Sequence, residues 1–118
     1  MTELTVNTLT TSAGPVLELS GELDHHSAPH VRDVLQSLPV RSGEQLIIDL
    51  GGLTFCDSSG ITVLIAARNR ALKAEAGIAL AAVPDRVVRV FRIVGLEQVF
   101  PAHPTVQDAA DAWRGAAG

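Results

Sequence analysis

Apolar residues along this chain fall into two rhythms, one of period two and one of helical spacing. Leu4, Val6 and Thr8 alternate with polar neighbours, the pattern of an edge or outer strand. A turn-like Ser12-Ala13-Gly14-Pro15 leads into Val16 to Ser20, which is placed to pair with the first strand as a hairpin. Ser27 stands before Ala28-Pro29, an N-cap candidate with proline in the first turn. Val31, Val34, Leu35 and Leu38 then recur at helical spacing, and Pro39 stops that helix. Leu46-Ile47-Ile48-Asp49-Leu50 is apolar on both faces apart from Asp49, as in a strand that is covered on both sides or central in a sheet. Ile61, Leu64, Ile65 and Leu72, with Val63, Ala67 and Ala71 on a neighbouring stripe, predict a helix over 61–72. Thr62, Asn69 and Lys73 mark its wet face, and Gly77 ends it. Ile78 to Val83 reads as another buried strand. Pro84-Asp85 opens a third helix with Val87, Val90, Phe91 and Val94 on one face and Gly95 at its close. Val99-Phe100 forms a short extended piece, and Thr105 caps a last helix carrying Val106, Ala109, Ala110 and Trp113.

Strands alternating with helices predict an α/β fold: a mixed, largely parallel sheet with helices packed on it. The length, 118 residues, suits one domain over 1–118 with a single core, and 115–118 reads as a frayed tail. Hydrophobic residues are 47% and aromatics only 3%, so the core must be built from Val, Leu, Ile and Ala. The formal net charge is −4, and the eight arginines and single lysine are scattered. That argues against a nucleic-acid partner, which needs a basic face. One cysteine, Cys56, excludes an internal disulfide and a cysteine-based zinc cage, and suits a reduced, cytoplasmic setting. Met1-Thr2-Glu3-Leu4 shows no basic region leading into an apolar one, and no apolar run approaches the ~18 residues of a membrane span. No membrane association is expected.

The densest chemistry lies at Asp57-Ser58-Ser59-Gly60, where a strand gives way to the first turn of a helix. Unpaired N–H groups and the positive end of the helix dipole meet there. Spacing alone leaves two readings open: a structural cap, or a place to add and remove a phosphate. Two adjacent hydroxyls exceed what one cap requires, and Gly60 gives up about 1 kcal/mol of helix propensity relative to Ala. A small residue there would leave the backbone open to a partner. A serine-hydrolase elbow needs Gly-x-Ser-x-Gly, and Cys56 or Asp57 stands where its first glycine belongs. No Gly-Lys-Ser/Thr phosphate cradle occurs. The loop Gly21-Glu22-Leu23-Asp24-His25-His26-Ser27 is dense with polar groups and reads as a recognition loop. His26 and His30 are four apart, but a metal site would need a third ligand, for which Asp24 is weak. Asp49 reads as a carboxylate accepting backbone hydrogen bonds, Cys56 as a small buried hydrophobe, Trp113 as a core anchor, and Arg86, Arg89 and Arg92 as a solvated helix face.

Taken together, these segments resemble the bacterial anti-sigma factor antagonists, single STAS domains. The resemblance is carried by Gly21-Glu22-Leu23-Asp24-His25-His26-Ser27-Ala28 and by Ile48 to Gly60, ending in Asp57-Ser58-Ser59-Gly60. It continues in Val90 to Phe100 and in Thr105-Val106-Gln107-Asp108-Ala109-Ala110. It implies a STAS-like mixed β-sheet of about four to five strands with helices mainly on one side. It further implies a regulator that catalyses nothing and carries no cofactor and no metal. In such proteins the unphosphorylated antagonist binds an anti-sigma factor, commonly an ATP-dependent serine kinase, and so releases a sigma factor. Phosphorylation of the serine at the position of Ser58 abolishes binding, and a serine phosphatase restores it. The partner-facing positions implied are Asp24, His25 and His26 in one loop, and Asp57, Ser58, Ser59, Gly60 and Thr62 in the other. Thr62 departs from the small residue many relatives hold there, which bears on partner specificity. An alternative role is a STAS module of a stress-signalling scaffold or a lipid-transport complex.

Overall fold

The computed structural model describes residues 3–117, with side chains through residue 114. Strands β1 (Thr5–Thr11) and β2 (Gly14–Leu23) form an antiparallel hairpin. Helix α1 (Ala28–Ser37), strand β3 (Gln45–Cys56), helix α2 (Ser58–Lys73), strand β4 (Gly77–Ala81), helix α3 (Asp85–Ile93), strand β5 (Ala102–His103) and helix α4 (Val106–Ala117) follow. The five strands lie in the order β1-β2-β3-β4-β5, and every neighbouring pair from β2 to β5 is parallel. Strand order thus advances in one direction. Right-handed crossovers, the rule for such connections, then place α1, α2 and α3 on the same face.

The packing agrees. Leu17, Leu19, Leu46, Ile48, Leu50 and Leu80 point to one face and are buried under Val31 and Leu35 of α1, Val63, Leu64 and Ala67 of α2, and Val87 and Phe91 of α3. Alternation sends Val16, Ile47, Ala79 and Ala81 to the other face, where Ala109 and Ala110 of α4 cover them. Alanines from both sides, Ala79 and Ala81 with Ala109 and Ala110, meet there, so α4 lies close. A Cβ at Gly77 would stand 2.5 Å from the Trp113 ring. Trp113 is half-buried on this face and donates its indole N–H to the Gly43 carbonyl at 3.2 Å, the anchoring role expected of it. The sheet is therefore mixed, five-stranded and covered by helices mainly on one side, as expected.

Several boundaries differ from the sequence reading. Strands β2 and β3 run on to Leu23 and Cys56, well past Ser20 and Leu50. The glycine pair Gly51-Gly52 breaks the apolar pattern without breaking the ladder. Gly52 is glycine because β2 passes too close for a side chain: a Cβ would fall 2.2 Å from Ser20 Oγ. Helix α2 starts at Ser58, three residues earlier than its apolar stripe. It ends at Lys73, with Glu75 in the left-handed region (φ 59°), so Gly77 opens β4 instead of closing the helix. Strand β4 ends at Ala81, two residues short of Val83, because Ala82 also adopts positive φ (55°). The last strand lies at Ala102–His103; Val99-Phe100 is not a strand, and Phe100 instead packs its ring on Phe91 with centroids 6.2 Å apart. Leu72 and Val94, expected inside, are half exposed. Thr105 caps α4 as expected, its hydroxyl accepting from the Asp108 N–H at 3.0 Å. The backbone of α4 is helical through Ala117, within the expected tail; Gly118 and the side chains of residues 115–117 lie outside the described residues. Among the described residues no helix is long and apolar enough to cross a membrane.

Candidate functional site

In parallel strands the loops leaving two neighbouring strands emerge at the same rim. Here the register pairs Leu23 with Cys56, so the loop after β2 and the turn after β3 emerge side by side. The N–H of Asp57 donates to the Leu23 carbonyl at 3.2 Å and joins them. Open α/β sheets bind their ligands at this carboxyl end of the strands.

Asp57 is the cap of α2. Its backbone is extended (φ −100°, ψ −170°), and its Oδ1 accepts from the Ser59 N–H at 2.9 Å and the Gly60 N–H at 3.1 Å. Of the two readings of this turn, the structural one therefore belongs to the aspartate. Among the described residues neither the Ser58 nor the Ser59 hydroxyl has a hydrogen-bond partner. Ser58 is exposed and Ser59 half-buried, so Ser58 presents its free hydroxyl at the first position of the helix. One turn on, the exposed Thr62 donates its hydroxyl to the Ser58 carbonyl at 2.9 Å.

Gly60 faces inward. A Cβ there would stand 2.8 Å from both Cys56 Sγ and Leu23 Cγ. Its small size lets the start of α2 settle on the ends of β2 and β3, and this inward packing, not an opening toward a partner, accounts for the glycine. Cys56 is buried, as expected, and burial first, with the Asp57 charge second, pushes its thiol up to about 11.

In the neighbouring loop the Asp24 carboxylate orders the turn before α1, whose start has no side-chain cap. Asp24 Oδ1 accepts from the N–H groups of His26 and Ser27, both at 3.0 Å. Ser27 makes no side-chain cap; its hydroxyl turns back and donates to the Glu22 carbonyl at 2.8 Å. The Ser27 N–H above all holds the Asp24 carboxyl below its ordinary value; burial opposes it, and the His26 N–H adds a smaller lowering. His25 and His26 are exposed, with ring centroids 4.1 Å apart and planes tilted by 37°. The structure thus brings Asp24, His25, His26, Asp57, Ser58, Ser59 and Thr62 to one rim, with Gly60 beneath it.

Phe55 was not anticipated. It is 45% exposed two residues before Asp57, at the end of a strand that has already left its β4 neighbour. The register shift between Gly21 and Glu22, which sets Leu53 and Phe55 against consecutive β2 residues, turns its ring out. Beside it, the Arg86 guanidinium donates to the Thr54 carbonyl at 3.0 Å. Arg86, Arg89 and Arg92 are all exposed, and Arg92 pairs with Glu97 at 3.0 Å. Asp49 lies lower in β3 and accepts from the Gly51 N–H at 2.9 Å, the backbone role expected of it. Among the described residues no three His, Cys, Asp or Glu side chains are grouped to hold a metal ion.

Such a rim offers a hydroxyl, two fixed carboxylates and an exposed aromatic ring, but no base hydrogen-bonded to either serine. The profile of the STAS domain family matches residues 5–109. The chain belongs to the STAS domain family. This STAS domain is 32% identical over 81 residues to the anti-sigma-B factor antagonist of Listeria monocytogenes, covering 69% of this chain and 71% of that one. It superposes on the crystal structure of an anti-sigma factor antagonist from Mycobacterium paratuberculosis with a TM-score of 0.79 and 29% identity, over 95% of each chain. The anti-sigma factor antagonist SpoIIAA in its unphosphorylated form matches with a TM-score of 0.74 and 25% identity, over 96% of this STAS domain and 97% of that chain.

Proposed function

We propose that this STAS domain is an anti-sigma factor antagonist whose rim at the ends of β2 and β3 binds an anti-sigma factor, and whose binding is abolished by phosphorylation of Ser58. The observation that carries the reading is the division of labour at the start of α2. Asp57 takes the cap, and the exposed Ser58 hydroxyl is left without a partner among the described residues. The names of the relatives give the antagonist role, and SpoIIAA, described in an unphosphorylated form, is a protein for which phosphorylation is a state.

The physical account is local. A phosphate on Ser58 adds about −1.5 to −2 charges and three strong acceptors. A helix N-terminus tolerates such a group, so the fold is kept. A partner seated on Asp24, His25, His26, Asp57, Ser58, Ser59 and Thr62 must instead make room for it and desolvate a dianion beside Asp57. A loss of ~3 kcal/mol is enough to weaken the complex more than a hundredfold. The anti-sigma factor is then itself the serine kinase, a serine phosphatase reverses the mark, and the cycle runs in the cytoplasm. The chain's own part is that of substrate and ligand.

The test is incubation with the cognate anti-sigma kinase and labelled ATP, followed by site mapping and a pull-down. Label on Ser58, none on Ser58→Ala, and capture of the kinase only by the unlabelled protein are expected. Label on Ser59 alone, or none on either serine, would overturn the assignment.

A further inference from the structure

A second concave site lies at the opposite end of the sheet. Strand β5 is two residues long and pairs with β4 only from Leu80 onward, so the edge of β4 below Leu80 has no neighbouring strand. The gap is a hollow of about 380 Å³, within the range of small-molecule sites. Its walls are apolar: Leu72 from α2, Val99 and Pro101 from the segment before β5, and Trp113 from α4. The half exposure of Leu72, at odds with its place in the apolar stripe, is the wall of this hollow.

Three polar side chains line it: Gln45, Arg68 and the half-buried His103. Gln45, the first residue of β3, is 3% exposed, and its buried Oε1 has no hydrogen-bond partner among the described residues. A buried amide oxygen left unpaired is costly and calls for a missing partner. Arg68, one turn before Leu72, lines the same hollow and makes no ion pair among the described residues, and no carboxylate joins it there. In a chain of net charge −4, an unneutralised guanidinium beside an apolar wall marks a place for an anion.

We propose that this hollow is a binding site for a small amphipathic carboxylate. Arg68 takes the carboxylate, Leu72, Val99, Pro101 and the Trp113 ring enclose the apolar body, and the Gln45 amide satisfies a polar group of the ligand or the water it carries. The site is independent of Ser58, lying where β3 begins and not where it ends.

Trp113 is the only tryptophan, so its fluorescence reports on this hollow. Full-length protein is titrated with octanoate, and with 1-octanol as the uncharged counterpart. Octanoate is expected to give a saturable change with a Kd of about 1 mM or tighter. Octanol binds at least tenfold more weakly. Arg68→Gln reduces octanoate affinity at least tenfold, Gln45→Leu reduces it too, and Ser58→Ala leaves it unchanged. Circular dichroism establishes that each variant is folded. Wild-type protein with an unsaturable response, equal binding of octanol and octanoate, or undiminished binding by folded Arg68→Gln would overturn the proposal, leaving the hollow a hydrated crevice.

Discussion

The Asp57 N–H and the Leu23 carbonyl meet at 3.2 Å and tie the two loops of the rim together. Neither loop can shift without drawing on the other, because the bond lies at the last paired step of β2 and β3. Residues 33 positions apart, Asp24 and Asp57, thereby come to lie on one rim of the sheet.

Asp57 and Ser58 are adjacent yet differ sharply in what they do for the fold. Asp57→Ala removes the acceptor of two backbone N–H groups and should cost roughly 0.5–2 kcal/mol. Ser58→Ala removes an exposed hydroxyl that bonds nothing among the described residues, and should stay within about 0.5 kcal/mol of the parent. Chemical denaturation of both variants checks the contrast. An equal loss in the two would contradict the assignment of the cap to Asp57.

Gly60→Ala sets two effects against each other. Alanine gains about 1 kcal/mol of helix propensity. Its Cβ, however, collides with Cys56 Sγ and Leu23 Cγ at 2.8 Å, and overpacking costs roughly 1–3 kcal/mol. The expected balance is net destabilisation. Adding Cys56→Ala should recover part of it, so a double-mutant cycle in thermal melts should show coupling between the two positions.

The Cys56 thiol titrates at about 11 in the fold against 9.0 unperturbed. At pH 8 that leaves about a hundredfold less thiolate than in the unfolded chain. A thiol reagent should therefore modify native protein slowly and urea-unfolded protein quickly. The sign of the pH effect follows. The folded state favours the neutral thiol, so its contribution is intact below pH 9 and is lost as pH rises from about 9 through about 11. Cys56→Ser should flatten that part of the alkaline stability profile.

Asp24 runs the other way. Its carboxylate is favoured in the fold by the Ser27 N–H first, and burial only partly opposes that. The order it gives the loop is present above pH 3.8 and is lost as pH falls through its lowered folded value. Amide proton signals of His26 and Ser27 should report the change. Asp24→Asn, which keeps an acceptor oxygen, should preserve loop order at low pH better than Asp24→Ala.

Much of this was legible in the sequence, and the exceptions have physical causes. Alternation in β1, continuous apolar runs in β3 and β4, and helical spacing placed all four helices and the strands up to β4, because Val, Leu and Ile dominate the core. The short β5 escaped because two residues carry no period, and Phe100 drew attention to itself by being a core side chain. Gly51-Gly52 hid the length of β3, since a glycine demanded by close approach looks the same in a sequence as one that ends a strand. At the rim, Asp57-Ser58-Ser59-Gly60 stood out as a helix start, but which side chain capped it needed coordinates. The outward turn of Phe55 depends on a register shift that no local pattern records.

That Asp57 and not a serine caps the start of α2 has a consequence for how the protein would age under the proposed cycle. The bonds that hold the helix start together and the atom open to chemistry belong to different residues. Copies with and without a group on Ser58 should therefore melt together, and neither pool should be selectively cleared by proteases that seek unfolded chains. Under the proposed cycle, the history of the hydroxyl would leave the lifetime of the molecule untouched.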